Sequence, residues 1–214
     1  MKILAFADVH GAFGKVATVL DQVPAVDVAI IAGDFTTNGT PADVERALAF
    51  WRPRVPQLFA VAGNMDSPAI DETLHRLGVS LDGCSRRVGT VAFLGCSAAP
   101  ISIGTPYEIP ETEIAARLER GCAQAQDARR RVFVPHAPPF GAVDQSWSSA
   151  HAGSRAVRAL VERVQPALVL CGHIHEARGQ VRWGRSLIVN CGPALRGHYA
   201  IVELDENQCE AELF

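Results

Sequence analysis

The sequence stretch that decides the fold is Lys2-Ile3-Leu4-Ala5-Phe6-Ala7-Asp8-Val9-His10-Gly11. Its uninterrupted apolar run predicts a strand over Lys2–Ala7 that is buried on both faces of a sheet. Asp8 and His10 follow this strand directly, and Gly11 permits a tight turn after them. A carboxylate and an imidazole at the end of a buried strand predict a functional site at that edge of the sheet.

Further apolar segments along the chain end in the same way. Strands are predicted for Val28–Ala32, Gln57–Ala62, Arg131–Val134 and Ala167–Cys171. The polar residues that follow them are Asp34, Asn64, His136, His173 and His175, with glycines at positions 33, 63 and 172. Because ligands bind beyond the carboxyl ends of strands in open α/β sheets, we expect all these side chains to converge. A spacing of two residues within Asp8/His10 and within His173/His175 predicts, in extended backbone, that both members of a pair face the same way.

Helices separate the early strands, and strands dominate the later part of the chain. Helices are predicted for Val16–Val23, Ala42–Trp51, Pro68–Leu77, Glu111–Ala125 and Ser154–Val164. The other predicted strands are Arg86–Val88, Val91–Gly95, Gln180–Trp183, Ser186–Asn190, Tyr199–Leu204 and Cys209–Leu213, and a Pro/Gly-rich loop is predicted from Ala99 to Pro110. This order predicts a single α/β domain over residues 1–214, with two packed sheets and helices outside them.

Composition excludes several classes of protein. The 214 residues are 48% hydrophobic and 20% charged, which is typical of a globular protein. A net charge of −3 without long runs of one sign argues against a broad nucleic-acid-coating surface. The apolar runs are of strand length, too short for a membrane span, and the run before Asp8 is too short for a signal peptide. Six scattered cysteines without a C-x-x-C pair predict reduced thiols and a cytoplasmic location.

The polar residues at the strand ends form a mixed set of metal ligands. Carboxylate, amide oxygen and imidazole suit manganese, iron, zinc, cobalt or nickel better than calcium. Two ions roughly 3.5–4 Å apart need a bridging group. Asp34, a lone carboxylate between a glycine and a loop, is the natural candidate for that bridge. Such a site binds phosphoryl oxygens, lowers the pKa of a bridging water and stabilises the charge of the transition state.

The ordered motifs also carry a family resemblance, which extends from residue 3 to about residue 193. The motifs are Asp8-Val9-His10-Gly11, Gly33-Asp34, Gly63-Asn64-Met65-Asp66, His136-Ala137-Pro138-Pro139 and Gly172-His173-Ile174-His175. Together they resemble the calcineurin-like metallophosphoesterases. The resemblance implies a four-layer αββα sandwich with two central mixed sheets. The short chain is similar to the small prokaryotic phosphodiesterase branch of that family.

The resemblance further implies roles for individual residues. It places Asp8, His10, Asp34 and His175 on one divalent transition-metal ion, and Asp34, Asn64, His136 and His173 on the other. Manganese is favoured, with iron, zinc, nickel or cobalt as alternatives. Asp34, Asn64 and His136 are the predicted catalytic residues. The implied reaction is hydrolysis of a small phosphate ester by attack of a metal-bridging water or hydroxide.

Met65 departs from the family pattern. Many members carry histidine after the asparagine of the third motif, where it contacts the phosphoryl group or protonates the leaving oxygen. Met65 can do neither, and phosphodiester hydrolysis is therefore the leading prediction. Asn64 and His151 are the predicted substrate-binding residues. His151 lies just before a predicted helix whose N–H groups could bind a phosphate, although an ordinary helix start is the favoured interpretation of the segment.

Other functions stay open at this point. Within the same chemistry, the chain could be a phosphomonoesterase or a nucleotide pyrophosphohydrolase. Outside it, one relative of the fold is a protein-interaction scaffold in the retromer, although a scaffold does not need seven convergent ligands. A nuclease would need a basic channel to bind the phosphate backbone of its substrate. We therefore expect a small phosphate-ester substrate, no membrane or nucleic-acid partner, and an oligomeric state, a homo-oligomer included, that the sequence leaves open.

Overall fold

Two sheets face each other at the centre of the molecule. The computed structural model describes residues 1–23 and 25–214. The strands are β1 Lys2–Phe6, β2 Val28–Ala32, β3 Gln57–Val61, β4 Ser85–Val88, β5 Val91–Cys96, β6 Ala99–Pro100, β7 Glu108–Ile109, β8 Arg130–Pro135, β9 Leu168–Cys171, β10 Gly179–Trp183, β11 Ser186–Asn190, β12 Ala200–Leu204 and β13 Cys209–Leu213. The helices are α1 Phe13–Gln22, α2 Pro41–Trp51, α3 Pro68–Arg76, α4 Glu111–Gln124 and α5 Arg155–Val164.

The first sheet has the strand order β13-β12-β1-β2-β3. β1, β2 and β3 are parallel, whereas β12 runs antiparallel to β1 and β13 antiparallel to β12. Every residue of β2 is buried, as expected for a strand covered on both faces. The apolar runs of the sequence thus predicted the central strands of this sheet correctly.

The second sheet has the order β10-β11-β9-β8-β5-β4. Its four inner strands are parallel, and β10 and β4 pair antiparallel at the two edges. The predicted hairpin around Gly89 is confirmed as β4 and β5. A separate parallel pair, β6 and β7, lies within the segment that the sequence predicted to be a loop.

Two hydrophobic clusters define the layers. One lies between the sheets and contains alternate residues of strands from both, with the Phe59 and Phe93 rings 5.5 Å apart across it. The other contains the opposite faces of the strands together with the buried sides of the helices, among them Trp51 of α2 and Leu118 of α4. The order is therefore helix, sheet, sheet, helix, and the predicted αββα architecture is confirmed. Among the described residues, no helix is long and apolar enough to cross a membrane.

Element boundaries differ from the sequence prediction by a few residues. The clearest case is α1, predicted over Val16–Val23 and observed over Phe13–Gln22. Its N-cap residue is Ala12, which offers no side-chain hydrogen bond, so the sequence carries no capping signal at that point. By contrast, Pro41 marks the start of α2, where Thr40 and Asp43 form a capping box.

Candidate metal centre

The ligand-bearing turns are not extended. Asp8, His10, Asp34 and His173 have φ angles of 53°, 45°, 51° and 68°, in the left-handed region that non-glycine residues rarely adopt. His175 begins a short 3-10 turn. The prediction that residues two apart face the same way in extended backbone is therefore wrong. The side chains converge because strained turns aim them, and such strain is typical of functional sites.

Backbone hydrogen bonds hold the turns after β1 and β2 together. The N–H groups of Asp8 and His10 donate to the carbonyl oxygens of Gly33 and Asp34, at 3.0 and 2.8 Å. The Asp8 carboxylate accepts the His173 N–H at 3.0 Å, which ties the turn after β9 to the same place. Turns from both sheets thus meet at one edge.

Glycine makes this close approach sterically feasible. A Cβ atom at Gly33 would collide with the His136 ring, and one at Gly63 would collide with the Asp34 carboxylate. A Cβ atom at Gly172 would lie 2.5 Å from Asp8 Oδ2. Real Cβ atoms do not approach other atoms so closely, so each of these three glycines provides the space that a neighbouring candidate ligand occupies.

Asp8, His10 and His175 form one group of candidate ligands. His10 Nε2 lies 3.3 Å from His175 Nε2, which is itself 3.7 Å from Asp8 Oδ1. On its other side, His10 Nδ1 lies 2.8 Å from the Thr37 hydroxyl. A hydrogen bond to the far nitrogen fixes the orientation of a ligating imidazole, and here it directs His10 Nε2 toward the group.

Asn64, His136 and His173 form a second group. Asn64 Oδ1 lies 2.9 Å from His136 Nε2 and 2.8 Å from His173 Nδ1. The amide is oriented by its Nδ2, which donates to the Thr105 hydroxyl at 3.1 Å. His136 Nδ1 donates to the Ala32 carbonyl oxygen at 2.8 Å. In the neutral His136 ring, Nε2 then carries a lone pair that faces the amide oxygen, another acceptor.

Asp34 lies between the two groups. Its Oδ2 is 3.6 Å from His10 Nε2 and 3.6 Å from His136 Nε2. Its Oδ1 accepts the Met65 N–H at 2.8 Å, which fixes the carboxylate and leaves Oδ2 directed at both histidines. One oxygen atom is therefore equidistant from the two groups.

Burial shifts the pKa values of Asp34, His173 and His10, whereas the hydrogen bond with Asp8 raises the pKa of His175. Asp8 and Asp34 are 0% and 2% exposed, and burial raises the pKa of Asp34 to about 7. Burial also lowers the pKa of His173 to about 3 and lowers that of His10. Neutral imidazoles beside buried carboxylates are the forms that bind cations.

The donor set fits divalent transition-metal ions. Ligand atoms of Asp8, His10 and His175, and likewise of Asp8, Asp34 and His136, lie within 4.8 Å of one another. A cation would also relieve the contact between the acceptors Asn64 Oδ1 and His136 Nε2. The candidate ligand groups found among the described residues contain no cysteine, and burial raises the pKa of the Cys191 thiol to about 12.

Comparison with known proteins identifies the family. The sequence model of the calcineurin-like phosphoesterases matches residues 1–177. The chain belongs to this family. It is 27% identical over 199 residues to an uncharacterized protein of Methanocaldococcus jannaschii, a match that covers 90% of this chain and 88% of that one.

Solved structures share the fold. The protein TT1561 of Thermus thermophilus superposes with a TM-score of 0.77 at 18% identity, covering 99% of this chain and 97% of that one. A dimetal phosphatase from Danio rerio gives a TM-score of 0.67 at 12% identity, covering 100% and 95%. At these identities the structural similarity shows the fold alone. Membership of the calcineurin-like family identifies the chain as a metal-dependent phosphoesterase.

Asp66 is a supporting residue of this phosphoesterase whose role the sequence did not reveal. Its buried carboxylate accepts hydrogen bonds from the N–H groups of Phe35, Thr36 and Gly63 and from the Thr36 hydroxyl, at 2.9 to 3.0 Å. It thereby connects the turn that carries Asp34 to the turn that carries Asn64. The residue stands in the third motif, but its partners are distant in sequence, and no spacing rule points to them.

Asn190 and Arg117 hold segments that adjoin the candidate ligands. Asn190 Nδ2 donates to the carbonyl oxygens of Val143 and Ile174, at 3.1 and 2.9 Å, beside the two histidines of the last motif. The Arg117 guanidinium donates to Asp82 at 2.9 Å and to the Tyr107 hydroxyl at 2.8 Å. Asp71, His75 and Asp82 have the composition of a metal site. The Arg117 guanidinium supplies the positive charge that faces the two carboxylates there.

His151 does not contact the convergent ligands in the part of the chain that the structure describes. Its Nδ1 lies 2.7 Å from Asp144 Oδ1, and its side chain is half-exposed. The helix start after it is the ordinary one that the sequence favoured, because the N–H groups of its first turn are already hydrogen-bonded. Glu111 accepts the N–H groups of Arg155 and Ala156, and Ser154 caps Val157. The role of His151 in substrate binding stays a prediction.

A cavity of about 590 Å³ lies elsewhere, near Met1, Gly89 and Arg130. These residues flank the amino ends of β1, β5 and β8. The cavity is lined by none of the convergent polar residues. The candidate metal centre lies instead at the carboxyl ends of the strands, where ligands bind in open α/β sheets.

Asp66→Asn tests whether this carboxylate holds the two ligand turns together. Each Asp66 oxygen accepts two donors, so either orientation of an amide would direct its NH₂ group at N–H or O–H groups. We expect a loss of about 1–3 kcal/mol in the free energy of unfolding, measured by urea denaturation, together with weaker metal binding in a titration. Asp21→Asn, which changes an exposed acid paired with Arg54, is the matched control. Wild-type stability and metal affinity in Asp66→Asn would show that the turns are held by other contacts.

Proposed function

We propose that this chain is a dinuclear phosphodiesterase. Asp8, His10, Asp34 and His175 would hold one divalent ion, and Asp34, Asn64, His136 and His173 the other, with manganese favoured. The equidistance of Asp34 Oδ2 from His10 Nε2 and His136 Nε2, 3.6 Å in each case, carries the proposal. A carboxylate that belongs equally to two ligand groups is the feature that a bridged pair of ions requires.

The two ligand groups differ in character, which supports two separate ions. Asp8, His10 and His175 supply one carboxylate and two imidazoles. Asn64, His136 and His173 supply an amide oxygen and two imidazoles, joined by contacts of 2.8 and 2.9 Å. Two ions bound there would supply Lewis acidity to the phosphoryl oxygens and lower the pKa of a bound water.

Protein groups around the centre would orient the substrate. Thr105 accepts one hydrogen of the Asn64 amide, and the second amide hydrogen remains available for a phosphoryl oxygen. The Thr37 and Ala32 contacts hold His10 and His136 in place. Preorganised polar groups of this kind stabilise developing charge without reorganising during the reaction.

Met65 favours a diester over a monoester. The residue follows Asn64 directly, and its backbone N–H is used to hold Asp34. Its thioether has no proton to donate to a departing oxygen. A diester with a good leaving group needs that proton least. We propose that His151, whose ring is oriented by Asp144, contacts the substrate near the departing group.

Asp34→Asn tests the bridge. The substitution removes the charge that both ions would share, so we expect manganese-dependent hydrolysis of an aryl phosphodiester to fall by several orders of magnitude. His10→Ala removes a ligand of one group only, and should reduce activity less at saturating metal. Asp21→Asn controls for the loss of one acidic charge at an exposed position. Near-wild-type turnover of Asp34→Asn at saturating manganese would place the bridge elsewhere.

Met65→His tests the missing general acid. A general acid contributes roughly 10²–10⁴-fold, and most where the leaving oxygen is strongly basic. We expect the wild type to show a steep dependence of rate on leaving-group pKa in a series of aryl and alkyl diesters. Met65→His should accelerate the poor leaving groups selectively and flatten that dependence. A shallow slope in the wild type would show that another residue already supplies the proton, and His151→Ala would then identify or exclude His151.

A further inference from the structure

Exposed apolar side chains are concentrated on two loops of the molecule. Among the described residues, the three most exposed large hydrophobic side chains are Ile103 at 87%, Trp147 at 83% and Ile101 at 66%. We call these three residues the apolar rim. Large apolar side chains that remain this exposed are available for contact with a ligand. Their location therefore decides what they bind.

The loop that carries Ile101 and Ile103 is attached to the second ligand group. The Thr105 hydroxyl accepts from Asn64 Nδ2 at 3.1 Å, and the Tyr107 N–H donates to the Asn64 carbonyl oxygen at 3.0 Å. Both contacts involve Asn64, the proposed ligand that would also bind a phosphoryl oxygen. The two isoleucines therefore project from a loop that adjoins the metal centre.

The loop that carries Trp147 is attached to the histidines of the last motif. The Trp147 N–H donates to the carboxylate of Glu176 at 2.7 Å, and Glu176 directly follows His175 in the sequence. Asn190 joins the same loop, through the Val143 carbonyl oxygen, to the carbonyl oxygen of Ile174. The loop that carries Trp147 therefore adjoins the candidate metal centre from the side of β9.

Both loops are held in defined conformations. The Glu108 carboxylate accepts hydrogen bonds from the backbone N–H groups of Ser102, Ile103, Gly104 and Thr105 and from the hydroxyls of Ser102 and Thr105. Partial burial raises the pKa of Glu108, but these hydrogen bonds outweigh it and hold the pKa at about 2. In the other loop, Trp147 stands in a turn closed by hydrogen bonds between Ser146 and Ala150. A fixed loop that displays apolar side chains is preorganised for binding.

We infer that the apolar rim binds a planar aromatic group carried by the phosphoester substrate. The inference rests on the proposed phosphoesterase function and specifies its substrate class. Metal ligands and the Asn64 amide suit the phosphoryl oxygens, whereas the adjoining isoleucine and indole surfaces suit only the organic part of an ester. The indole of Trp147 offers a flat face for stacking, and sugar-like or methyl esters would leave the rim exposed to water.

Binding of two phosphonates by the manganese-loaded protein tests the inference without requiring hydrolysis. Phenylphosphonate and methylphosphonate carry the same anionic head and differ in the aromatic group. We expect wild-type protein to bind phenylphosphonate about tenfold more tightly in calorimetry. The double variant Ile103→Ser/Trp147→Ser should bind both with similar affinity. Phe50→Ser, which changes an exposed aromatic of α2 that lies over Arg54, should keep the wild-type ratio.

A kinetic arm separates this inference from the proposed function. Methyl and phenyl diesters of p-nitrophenyl phosphate share one leaving group, so a kcat/KM preference for the phenyl diester reports the retained ester group. That preference should fall in the double variant and persist in Phe50→Ser, the control at an exposed aromatic of α2. Absence of hydrolysis with the phosphonate ratio intact would defeat the diesterase proposal and leave the aromatic site supported. A phosphonate ratio near one in the wild type, or an unchanged ratio in the double variant, would overturn the inference. The first of these is also the result expected if the rim docks a protein or a membrane.

Discussion

The burial of Asp8 and Asp34 constrains the turns around them. These two carboxylates lie where strand ends from the two sheets meet. An ionised carboxylate without compensation costs several kcal/mol in a protein interior, and these two are 0% and 2% exposed. Imidazoles surround them, and burial lowers the pKa of His173 and His10 so that they remain neutral ligands. Cations are the partners that such an arrangement suits.

The same constraint explains the backbone around the centre. Ligands from separate turns can approach closely only if the residues beside them lack a Cβ atom, as Gly33, Gly63 and Gly172 do. Strained φ angles at Asp8 and Asp34 persist because backbone pairing and the Asp66 carboxylate hold the turns. The fold therefore holds the turns that carry the candidate ligands rigidly. The two loops of the apolar rim would contact the organic part of the substrate.

The sequence predicted the strands and their convergent side chains well, because apolar runs that end in polar residues are a local signal. It could not predict that Asp8 and His10 would lie in left-handed turns, since their spacing alone favoured extended backbone. It also missed the support that Asp66 and Asn190 give, because their hydrogen-bond partners are far away along the chain. The sequence favoured an ordinary start for α5, but it could not show that the distant Glu111 accepts the N–H groups there. Local patterns predict elements, whereas contacts between distant segments decide how a site is held.

The central claim is that two ligand groups share Asp34 and each hold an ion. The most direct measurement is the manganese content per chain, determined by elemental analysis after reconstitution and removal of free metal, for the wild type and for His173→Ala. We expect about two ions in the wild type and about one in the variant, which lacks a candidate ligand of the second group only. A wild-type content near one that His173→Ala leaves unchanged would contradict it.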